Sequence, residues 1–68
     1  MAHDKVFRLI EVEGTSPNSM EEAMENAITE ASRITPNMKW FELMSTRGML
    51  ENNRIVAWRV TIKIRASV

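Results

Sequence analysis

Sixty-eight residues leave room for one domain, spanning 1–68, and a chain this short buries a small share of its surface when it stands alone. There is no cysteine and one histidine, His3, which excludes a disulfide scaffold and a histidine-rich metal centre and leaves association as the remaining source of stability. Nine basic residues cancel nine acidic ones, so there is no global pull toward nucleic acid; no apolar run suits a membrane span or signal peptide, and the expected location is the cytoplasm.

In chain order, Met1–Asp4 reads as a loose end and Lys5–Glu13, rich in β-branched and aromatic residues, as a first strand. Val6, Ile10 and Val12 form one apolar set and Phe7 and Leu9 the other, a pattern that suits a strand covered on both faces. Gly14-Thr15-Ser16-Pro17-Asn18 is loop-like in composition. Ser19-Met20-Glu21-Glu22 has the form of a capping box: the Ser19 hydroxyl accepts from the Glu22 N–H, and the Glu22 side chain reaches back to the Ser19 N–H. From there Met20, Ala23, Met24, Ala27, Ile28 and Ala31 recur at helical spacing, predicting an amphipathic helix to about Arg33, ended by the constraint Pro36 places on Thr35. The stripe is read as core, and its alanines permit close approach to a sheet.

A second strand covers Trp40–Thr46, with a bulge or bend expected at Gly48. Glu51-Asn52-Asn53 is a turn into a third strand, Arg54–Val68. In that strand Val56, Trp58, Val60, Ile62, Ile64, Ala66 and Val68 alternate with Arg59, Thr61, Lys63, Arg65 and Ser67, with Ile55 and Ala57 as exceptions, which gives one apolar side and one basic side. At ~3.3 Å per residue it reaches roughly 40 Å. A compact chain of this length is only about 28 Å across, so the strand is expected to outrun its own subunit.

The order is β-α-β-β, an α+β fold in which a three-stranded antiparallel-type sheet wraps round one helix, the last strand in the middle. If Phe41 and Leu43 point at the helix, Trp40, Glu42 and Met44 share the opposite face with Arg59, Thr61, Lys63 and Arg65. All nine acids lie at or before Glu51. Arg54, Arg59, Lys63 and Arg65 follow with no acid among them.

No catalytic constellation is visible. A Ser/His/Asp or Cys/His arrangement has no histidine in the second half and no cysteine to use, and two glycines, Gly14 and Gly48, do not make a phosphate loop. Glu11 and Glu13, two apart on a strand, are read as edge solvation rather than an acid–base pair. Trp58 falls in the apolar register and is read as core. Trp40 leaves the core face, and two readings stay open: a stacking platform for a flat ligand, or packing across a subunit interface. The basic face has three readings: ion pairs with a neighbouring subunit's acids, a phosphate site, or single-stranded nucleic acid bound by charge plus stacking. Zero net charge and a single available aromatic weigh against the last.

The stretches Gly14-Thr15-Ser16-Pro17, Ser19-Met20-Glu21-Glu22-Ala23, Asn26-Ala27-Ile28, Trp40-Phe41-Glu42, Thr46-Arg47-Gly48 and Trp58-x-Val60-Thr61-x-Lys63 together resemble a dodecin, over about Val6 to Ile64. The resemblance implies a β-α-β-β subunit assembled with its own copies into a hollow dodecamer, with no turnover. It implies flavin, riboflavin or its mononucleotide FMN, held in pairs between subunits for storage, buffering and photoprotective quenching. By that resemblance Trp40 stacks on the isoalloxazine ring, and Arg59, Glu42, Thr46 and Arg47 are the other candidate ligand contacts. Flavin-binding members carry a glutamine where this chain has Arg59. Glutamine both donates and accepts, whereas arginine only donates and brings a charge. The alternative expectation is therefore a dodecin-like shell in which flavin binding is weakened or lost.

Overall fold

The computed structural model describes residues 6–68; expectations for Met1–Lys5, including His3 and the start of the first strand, lie outside them. Strand β1 runs Phe7–Ser16, helix α1 Met20–Ala31, strand β2 Met38–Glu51 and strand β3 Arg54–Ser67. The sheet order is β1-β3-β2, with β3 antiparallel to both neighbours. The α+β, β-α-β-β fold read from the sequence is the one observed.

The core is the apolar side of β3 under the alanine stripe of the helix. Val60, Ile62, Ile64 and Ala66 are buried against Ala23, Ala27 and Ala31, with Ile10, Val12, Met24, Ile28 and Trp58 packed around them. Alternation on β3 thus sends its even residues to the helix, as expected.

β1 extends further than its composition suggests. Gly14, Thr15 and Ser16 continue the ladder, pairing with Val60, Arg59 and Trp58. Gly14 is not a turn residue, and its φ is not positive. It is the contact point with the helix: a Cβ there would lie 2.1 Å from the Ala23 carbonyl oxygen and 2.8 Å from the Ala27 Cβ. Ser16, also buried, closes the strand. Its hydroxyl donates to the Glu22 carboxylate and accepts from the N–H groups of Asn18 at 2.9 Å and Ser19 at 3.4 Å.

This alters the expected capping box. The Ser19 hydroxyl does accept from the Glu22 N–H, at 2.9 Å. The Glu22 carboxylate, however, receives the Ser16 hydroxyl and, at 2.8 Å, the Asn18 side-chain amide, rather than the Ser19 N–H. Ser19→Ala is expected to lower stability by about 1 kcal/mol in urea unfolding at fixed protomer concentration. The Ser16 hydrogen bond, followed by that of Asn18, holds the Glu22 carboxyl below the usual carboxylate range. A lowered folded-state value means that Glu22 stabilises fully at neutral pH and loses its contribution as pH falls through that value. Glu22→Gln should therefore separate from wild type in urea midpoint at neutral pH and converge with it in acid.

One helix covers two strands. An α-helix with its side chains is ~10–12 Å wide and strands are ~4.8 Å apart, so α1 lies mainly over β1 and β3 and leaves most of β2 uncovered. Phe41 and Leu43 do take the helix-side face, opposite Ile64 and Ile62, but the helix does not cover them; they are 43% and 42% exposed. Beyond Trp58, where β1 ends, β2 and β3 continue as a two-stranded arm exposing Met49, Leu50 and Ile55. Asn52 and Asn53 turn it with positive φ, as a tight hairpin needs. The result is elongated, 55 × 19 × 13 Å with a radius of gyration of 14.1 Å. A compact chain of this length has about 11 Å.

Candidate functional site on the open sheet face

The face of the sheet away from the helix is built row by row from the strand register. Leu9, Arg65 and Trp40 form one row, and Glu11, Lys63 and Glu42 the next. Glu13, Thr61 and Ser45 follow, and then Thr15, Arg59 and Arg47. Glu11 and Glu13 thus flank the basic residues of their own chain, with the Thr61 hydroxyl 3.5 Å from the Glu13 carboxylate.

A bulge decides which side chains of β2 reach this face. Before it, even residues Trp40 and Glu42 point outward; after the shift between Leu43 and Ser45, odd residues Ser45, Arg47 and Met49 do. Simple alternation would have put Thr46 beside Glu42. Instead Thr46 lies opposite Val60 on the helix-side face, its hydroxyl donating to the Met20 sulfur at 3.1 Å. Gly48, where the bulge was expected, sits in regular pairing with Trp58, whose ring comes within 4.0 Å of where a Cβ would be. The shifts fall at Lys39, at Met44 and after Met49. A register slip of one residue exchanges the two faces, so the Met44 bulge exchanges Thr46 for Arg47.

Trp40 is 57% exposed, as a stacking surface must be. One face of its ring is already engaged: the Arg65 guanidinium carbon lies 4.7 Å from the ring centroid, within cation–π range. This contact was missed from sequence. Its only signal would have been the cross-strand register that sets Arg65 opposite Trp40.

Trp40 and Arg59 do not meet within one chain. Arg59 pairs across from Arg47, not Trp40, and the separation from Arg65 to Arg59 along β3 is roughly 20 Å at the usual strand rise. Nor do the described residues of one chain enclose a ligand. A cleft of about 210 Å³ between Ile28, Met38, Lys39, Trp40, Phe41 and Ile64 is below the ~300–1,000 Å³ of most small-molecule pockets. Among the described residues no cluster of histidine and acidic side chains could hold a metal ion. The donor set does suit a polar aromatic ligand: an exposed indole, and an Arg59 Nε that is buried without a hydrogen-bond partner.

Fold and open face define a small protomer with one helix, an uncovered edge strand and an accessible tryptophan, incomplete as a site by itself. The chain belongs to the dodecin family, whose model matches residues 6–68. It is 27% identical over 60 residues to a dodecin of Thermus thermophilus, covering 88% of this chain and 87% of that one. Its fold superposes on the dodecin from Streptomyces davaonensis with a TM-score of 0.87 at 35% identity, over 93% of each chain. The dodecin from Streptomyces coelicolor gives a TM-score of 0.86 at 35% identity, over 93% of this chain and 90% of that one. Family membership makes this a small protein of the flavin-binding type.

Proposed function

We propose that this chain is a non-enzymatic protein that stores and buffers riboflavin- or FMN-type flavins and quenches their photochemistry, with the flavins held between the subunits of a hollow dodecamer. The observation that carries the reading is Trp40, a large aromatic left exposed on an open sheet face in a chain of the dodecin family. In this reading the flavin ring stacks on Trp40 of one copy, and its polar edge meets Arg59 of another. The ~20 Å between those positions in one chain is what calls for a second copy. Glu42 and Arg47 share the open face with them, whereas Thr46 lies on the helix-side face against Met20. The bare strand β2, with Phe41, Leu43, Met44 and Leu50 exposed, supports self-association.

The test is a titration of riboflavin and FMN followed by flavin fluorescence, with light scattering for assembly. Quenching at micromolar protein is expected; unquenched flavin, with no effect of Trp40→Ala, would remove the reading.

A second reading keeps the shell and drops the flavin. It is favoured by two features: a donor-only Arg59, and Arg65 resting on the Trp40 ring. It predicts a colourless assembled protein that gains flavin binding on Arg59→Gln.

A further inference from the structure

On the open face Arg47 and Arg59 stand directly opposite one another on β2 and β3, with Thr15 completing the row on β1. Side chains so paired begin about 4.5–5.5 Å apart, and like charges there repel. Among the described residues neither guanidinium makes an ion pair; the one salt bridge joins Arg33 to Glu30 at 3.4 Å. The nearest acid in the register, Glu13, lies one row away and faces the Thr61 hydroxyl at 3.5 Å. On the other side the next row is Met49 and Ala57, which carry no charge. Arg59 Nε is buried with nothing to donate to. Two cations in register, one with an orphaned N–H, make a place that lacks negative charge.

We propose that Arg47 and Arg59 together form a receptor for an anionic group, so that the ligand of the open face is negatively charged where it meets them. The proposal rests on the flavin reading above and narrows it. Both guanidinia only donate, so a neutral imide edge presenting an N–H finds no acceptor between them. An ionised ring edge or a phosphate monoester accepts from both, through charge-assisted bonds. The phosphate brings about −1.5 to −2 of charge at neutral pH, which matches a pair of cations.

The experiment uses the assembled wild-type protein, Arg47→Ala and Arg59→Gln, each checked by light scattering. Riboflavin, which has no phosphate, and FMN are titrated by fluorescence, and bound riboflavin is titrated with base by absorbance. If the receptor takes the ring, bound riboflavin loses its ring proton ~1–3 pH units below free riboflavin, and both substitutions move the transition back. If it takes the phosphate, FMN binds at least about tenfold more tightly than riboflavin and the ratio collapses in both variants. Either result supports the receptor and names its ligand. Equal affinities with an unshifted ring ionisation overturn it and leave the flavin reading standing, as does any preference that survives both substitutions. If neither flavin binds, the flavin reading has failed and inorganic phosphate becomes the probe. A phosphate-dependent rise in Tm in wild type but not in Arg47→Ala then supports the receptor, and equal responses overturn it.

Discussion

Replacing Gly14 by alanine is expected to destabilise the protein by ~3 kcal/mol or more, measured as a fall in urea midpoint at fixed protomer concentration. The added methyl would sit 2.1 Å from the Ala23 carbonyl oxygen, 2.8 Å from the Ala27 Cβ and 3.0 Å from the Ala27 nitrogen. Two of the three are backbone atoms of α1, so no rotamer change relieves the clash and the whole helix has to lift. Lifting it opens the contact between Ala23, Ala27, Ala31 and the buried face of β3, which is nearly the whole core of the chain. The residue does not owe its identity to backbone freedom, since its φ is not positive. Close approach is the sole reason for glycine at this position, and a variant within ~0.5 kcal/mol of wild type would show that the helix seat is softer than its geometry implies.

Trp40→Ala is expected to weaken flavin binding by roughly 5- to 150-fold, the range that follows from ~1–3 kcal/mol for stacking a heterocycle on an aromatic side chain. The effect should fall on ligand affinity and leave the protomer intact. Trp40 is largely exposed and outside the core, and the Arg65 contact it loses within the chain is worth ~0.5–1 kcal/mol at an exposed site. Trp40→Phe should retain part of the affinity, because a smaller ring still offers a face. If Trp40→Ala dissociates the assembly instead, with flavin affinity per intact particle unchanged, the tryptophan is an interface residue and its platform role is lost.

How much of this was legible in the residues follows from the range of each interaction. The alternation of β3 from Trp58 onward and the helical spacing of Met20, Ala23, Met24, Ala27, Ile28 and Ala31 are local periodicities, and they placed the core and the element order correctly. Trp40 was legible as off the core face for the same reason, being one residue from Phe41 on a pleated strand. The Ser19 cap was legible because a hydroxyl three residues before its N–H partner is a matter of helix geometry alone.

The remainder depended on contacts that no short window contains. Gly14 looks like a loop residue until the helix returns across the strand and requires the absence of a side chain. Thr46 and Arg47 exchange faces because the ladder between β2 and β3 slips at Met44, an adjustment set by pairing over many residues rather than by Met44 itself. The facing of Arg47 against Arg59, the rest of Arg65 on Trp40 and the bareness of β2 follow from register and from the width of one helix. Sequence by itself therefore determined which elements form and which residues turn away from the core, since these rest on periodicity within one element. Tertiary structure alone decided which of the outward residues become neighbours, because that depends on how separate strands are aligned.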